Sequence, residues 1–136
     1  MLAAAEAGEA EVALVASSAS ERQKGGTFLS SFSAFDERRK GLGFGALPCL
    51  PSIARSGISF FGNSIVGGAE IVARERAICL ALFPTSPFGW RDYAAAKGHS
   101  HEDTDGRGFA RWRNQLLNAQ AFWAHEYAGQ DVFVTS

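Results

Sequence analysis

A chain of 136 residues with 46% hydrophobic and 12% aromatic content holds enough apolar side chains to fill one core, and reads as a single domain. Its 13 basic and 14 acidic residues leave a net charge of -1, so there is no overall basic surplus to announce a nucleic-acid or membrane-surface partner. Cys49 and Cys79 are too few for a zinc clamp or a disulfide framework, and the longest apolar run, residues 77–83, is too short to span a bilayer.

Residues 3–7 are rich in alanine and glutamate, and Gly8 suits the left-handed residue that closes a helix. Residues 12–16, Val-Ala-Leu-Val-Ala, form a short apolar run of the kind found in buried parallel strands. Ser18 stands three residues before Glu21, the spacing of a capping box, which predicts a helix starting there. After Gly25 and Gly26, the positions of Phe28, Phe32, Phe35 and Leu42 predict a helix over 28–42 with Asp36 to Lys40 on its outer face.

Leu47-Pro48-Cys49-Leu50-Pro51 carries too much proline for a central strand and is expected as a short or edge strand. From 69 to 83, Ile71, Val72, Ala73, Ile78, Cys79 and Leu82 alternate with Glu70, Arg74, Glu75 and Arg76, predicting an amphipathic helix stopped by Pro84. Residues 97–108 are polar and read as an exposed loop. Trp112, Leu116, Ala119, Trp123 and Tyr127 recur at steps of three or four, a helix over 111–128 that Gly129 ends before a strand at 131–135.

The stretch from Arg113 to Ala121, followed by Asp131-Val132-Phe133-Val134-Thr135-Ser136, resembles the C-terminal signature of the PIN-like nucleases. In that family a polar and then an acidic residue on a helix precede a strand ending in threonine, a variable residue and aspartate. Here Asn118 stands at the acidic position, and Ser136 precedes the expected aspartate. The strand at 12–16 and the following Ser17-Ser18-Ala19-Ser20-Glu21 are similar to a second family segment, in which Glu21 takes the place of a metal-binding acid.

The resemblance implies a three-layer α/β/α fold with a small, mainly parallel sheet holding residues 12–16 and 131–135 near its centre. It also implies one PIN-like domain over 1–136, incomplete at both ends, and so marginal stability or self-association. The activity implied is magnesium- or manganese-dependent hydrolysis of RNA, with Glu21, Asn118 and Thr135 as the catalytic set, Glu21 on the metal, and Asn114, Arg113 and Ser136 against substrate. With one carboxylate, metal affinity is expected to be weak, since hard divalent ions dehydrate reluctantly for so little charge, and activity weak or absent. Partners implied are single-stranded RNA and, as in toxin modules, a protein such as an antitoxin. A cytoplasmic location and no membrane partner are expected, because residues 1–6 lack a basic region followed by an apolar run.

Other readings stand beside this one. Glu21 equally suits a plain capping role, and Asn114, Asn118 and His125 share one helix face that solvent alone would explain. Arg107, Arg111 and Arg113 around Trp112 make a basic–aromatic patch fit for RNA, or pair with Asp103 and Asp105, the expectation preferred here. His99, His101, Glu102, Asp103 and Asp105 offer five potential metal ligands in seven positions, yet on a loop without a supporting framework. Phe60, Phe61, Phe88 and Trp90 are candidates for a protein-binding surface.

Overall fold

The computed structural model describes residues 2–134, so Thr135 and Ser136 lie outside the described residues. The protein is mixed α/β, with helices packed around two small parallel pairs of strands. Helix α1 (Leu2–Glu6) closes as expected: Gly8 has φ 72°, and the Glu9 amide reaches back to the Ala4 carbonyl at 2.8 Å. Strand β1 is only Leu14–Val15, the middle of the apolar run.

The expected capping box does not form. Ala16–Ser20 is a 3-10 helix that ends at Glu21, whose backbone is extended and whose amide donates to the Ser18 carbonyl at 3.3 Å. Ala16, Ser17, Ala19 and Ser20 are all buried, so small side chains rather than a cap fix this turn against the core. Helix α2 (Phe32–Gly41) starts four residues later than its phenylalanine spacing predicts. Ser31 caps it, its Oγ accepting from the Ala34 amide at 3.1 Å.

Strands β2 (Cys49–Leu50) and β3 (Ser52–Ile53) are one extended segment interrupted by Pro51. β2 pairs in parallel with β1, Leu14 opposite Cys49 and Val15 opposite Leu50. β3 pairs in parallel with β4 (Ser64–Ile65), Ser52 opposite Ser64 and Ile53 opposite Ile65. The proline-bearing stretch thus forms short strands at sheet edges, as expected, each belonging to its own two-stranded pair. Pro51, having no N–H to donate, stands where the pairing passes from one neighbour to the other.

Helix α3 (Ala69–Leu82) matches its period, with one inversion: Glu75, counted on the polar face, is wholly buried, while Ala73 and Leu82 are exposed. Helix α4 (Trp90–Lys97) lies in a stretch where no helix is expected. Helix α5 (Arg107–Tyr127) begins a full turn before its predicted start, inside the expected loop. The core joins Ile53, Ile78, Cys79, Ala119, Trp123 and Ala124, so α3 and α5 cross over the strands, with Val15, Leu50 and Ile65 packed beneath.

The strand expected at 131–135 is absent from residues 131–134, which have no regular structure. α5 ends in a Schellman turn, Gly129 at φ 64° and the Gln130 amide on the His125 carbonyl at 3.1 Å, which redirects the chain. Phe133 then folds back onto Phe122 and His125, ring centres 5.5 Å from each. An alternating apolar pattern needs a paired neighbour to become a strand, and Val132, 75% exposed, has none at the core. Both cysteines are free, and burial raises both thiol pKa values. Among the described residues no helix is long and apolar enough to cross a membrane.

Candidate nucleic-acid interface

Arg113 leaves α5 toward the turn that follows β1. Its guanidinium donates to the Ser20 carbonyl at 2.8 Å and lies 4.0 Å from the centre of the Phe28 ring. Its Nε is buried without a hydrogen-bond partner among the described residues, and desolvation lowers the pKa of the group. The loop carrying Phe28 is itself closed by short bonds. The Gln23 amide donates to the Thr27 carbonyl at 2.8 Å, and Arg22 Nε donates to the Gly26 carbonyl at 2.8 Å across a left-handed Gly26 at φ 84°.

This loop and the start of α5 enclose a cleft of about 340 Å³. Arg22, Arg107 and Arg113 line it together with Phe28, Phe109 and a single acid, Asp105. The expected pairing of the α5 arginines with Asp103 and Asp105 is not made. The ion pairs among the described residues are those of Asp36 with Arg39 and Lys40, Arg55 with Glu75, and Arg74 with Glu126. Arg22, Arg107, Arg111 and Arg113 thus keep unneutralised charge, and Phe28 is 46% exposed beside them.

Glu21 is exposed at the end of the 3-10 turn, adjoining the Ser20 carbonyl that Arg113 holds, and partial burial raises its carboxyl pKa. Asn114 and Asn118 are exposed on α5. His125 leaves their solvated strip and stacks against Phe122 and Phe133. Thr135 and Ser136 lie outside the described residues. Arg113 and Glu21 are therefore brought to one neighbourhood, but no three histidine, cysteine or acidic side chains converge on Glu21 or anywhere else among the described residues.

His99 and His101 diverge from the acids beside them. His99 faces a cavity shared with Lys97 and Arg111, where a metal cation would meet two positive charges, and the His101 carbonyl accepts the Trp90 indole at 2.8 Å. Of Phe60, Phe61, Phe88 and Trp90, Phe61 alone is largely exposed. Phe88 packs on the core, and Trp90 joins Tyr93, Phe109 and Trp112 in an aromatic cluster.

Arg22 and Phe28 escape the sequence reading because they meet Arg107 and Arg113 only through the tertiary packing of the 3-10 turn on α5. The chain matches no family model, no curated protein and no solved structure.

Proposed function

We propose that this chain binds single-stranded RNA without cleaving it, through the cleft between the Arg22–Phe28 loop and the start of α5. The observation that carries this reading is the cleft's lining: three arginines without carboxylate partners, set against two phenylalanines. Guanidinium forks suit phosphate oxygens, and an exposed ring beside them offers a stacking face for an unpaired base. A duplex hides its base faces, so a single strand suits the cleft better. Asp105 reduces the local charge without reversing it.

Fluorescence anisotropy with a labelled mixed-sequence single strand and the matching duplex tests the reading. The single strand is expected to bind more tightly, and Phe28→Ala to weaken it by about 1 kcal/mol or more, the value of one stacked base. Equal binding of strand and duplex, unmoved by Phe28→Ala, rejects it.

A second reading, descent from a PIN-like ribonuclease with its three-layer α/β/α arrangement, is favoured by one observation. The turn ending in Glu21 follows a parallel strand and packs on α5, the helix of Asn114 and Asn118. Magnesium or manganese would supply an activated water there. The residues present do not fit such an ion, which needs several carboxylates where this neighbourhood offers Glu21. RNA cleavage in either metal is therefore expected to be absent, and cleavage abolished by Glu21→Gln would displace the binding reading in favour of a working nuclease.

A further inference from the structure

We propose that the cavity between α4 and α5 is a second site, separate from the RNA cleft, that takes a phosphate monoester dianion. The cavity is about 370 Å³, and shares no lining residue with the cleft. Lys97, His99 and Arg111 line it with Thr85, Ser86, Tyr93 and Gln115, and no carboxylate is among them. Neither Lys97 nor Arg111 is in an ion pair among the described residues. A helix terminus with a lysine is ordinarily explained by the helix dipole alone, but that does not account for Arg111 on the opposing helix or for the neutral donors between them.

Those donors are ordered from below. Ser86, 6% exposed, donates to Gln115 Oε1 at 2.6 Å, which orients the carboxamide and leaves its Nε2 without a protein partner among the described residues. Tyr93, 3% exposed, lines the same opening. His99 is set by the end of α4: Gly98 turns left-handed at φ 71°, and the His99 amide donates to the Ala94 carbonyl at 2.9 Å. Its imidazole then lies against Gly108, where an added Cβ would stand 2.5 Å from Cδ2 and 2.7 Å from Nε2. A lysine charge, an arginine fork and neutral donors around one opening match the oxygens of a terminal phosphate, which a diester-linked phosphate within a chain lacks in number and charge.

The test is titration of inorganic phosphate at constant ionic strength, followed by amide NMR shifts. Saturable shifts are expected at residues 97–99 and 111. Lys97→Gln and Arg111→Gln, both at exposed positions, should each weaken affinity about tenfold, as losing one charge-assisted hydrogen bond implies. Gly108→Ala retains every charge and favours the helix, yet displaces His99, so it should weaken phosphate through geometry alone.

Two arms separate the sources of such a phosphate. Equal affinity for uridine 5′-monophosphate and inorganic phosphate assigns a free small ligand, whereas tighter binding of 5′-phosphorylated than 5′-hydroxyl RNA, lost in Arg111→Gln, assigns a strand end. Shifts that chloride reproduces, or full affinity in the Lys97→Gln, Arg111→Gln double variant, overturn the proposal. Arg22 and Arg107 are untouched by these variants, so loss of phosphate binding here leaves the cleft's RNA binding to be judged independently.

Discussion

Gln120 on α5 donates its Nε2 to Oε1 of Glu75 on α3 at 2.8 Å, and neither residue has any solvent exposure. The other carboxylate oxygen of Glu75 takes Arg55, two residues past the end of β3, whose guanidinium lies over Phe88, 5.3 Å from the ring centre. The loop after β3, α3 and α5 are thus joined through one buried carboxylate. Satisfaction is incomplete, because Gln120 Oε1 and Arg55 Nε find no partner among the described residues. A half-satisfied buried network fixes how helices meet more than it stabilises them.

Glu75→Ala is expected to destabilise the fold by about 3 kcal/mol, the lower end for removing one member of a buried pair, since Arg55 retains 30% of its side-chain exposure. Gln120→Ala should cost about 1–3 kcal/mol, and the double variant less than the sum, because the two share one bond. Urea unfolding of the three variants checks this. Additive losses would mean that the bond does not couple them.

Stability should fall on the acid side. Arg74 donates to Glu126 at 2.7 Å and holds that carboxyl below its ordinary range, and Lys40 and then Arg39 do the same for Asp36. A carboxyl with a depressed folded pKa adds stability above its unfolded pKa, and that stability is lost as pH falls through the folded value. Glu21 has the opposite sign: burial raises its pKa, so its favourable contribution exists below the unfolded value and disappears as pH rises through the folded one. Glu126→Gln should flatten the acid limb of a urea-midpoint profile, while Glu21→Gln should leave stability at neutral pH unchanged or slightly higher. An unaltered acid limb in Glu126→Gln counts against the first assignment.

Gly98→Ala isolates backbone strain at the end of α4. The position has φ 71° and nothing within 4 Å of an added Cβ, so the cost is conformational alone, about 1 kcal/mol. Thermal unfolding should register that loss. A gain in stability would mean that the turn relaxes to a right-handed end.

The helices α3 and α5 were legible because their apolar steps of three and four run long enough to be seen, and Gly8 and Gly129 mark helix ends that the backbone bears out. Strands of two residues leave no period to read. Residues 131–134 satisfy an alternating pattern yet lack a neighbour, whereas the proline-bearing segment around Pro51 finds two. Glu75 was unreadable as core because its partners Arg55 and Gln120 lie 20 and 45 residues away. The same holds at the candidate interface: Arg107 and Arg113 stand together in sequence, but Arg22 and Phe28 join them only once the 3-10 turn docks on α5.

The salt dependence of single-stranded RNA affinity, measured for the native chain and for an Arg22→Gln, Arg107→Gln variant, tests the central claim most directly. Both arginines lie on exposed positions, so the variant leaves the Arg113 bond to Ser20 and the core intact. If the cleft holds the strand's phosphates, log affinity falls with log salt, and the variant lowers that slope by about 0.7 for each arginine removed. An identical slope and affinity in the variant would contradict the account, placing the strand elsewhere or removing RNA as the partner.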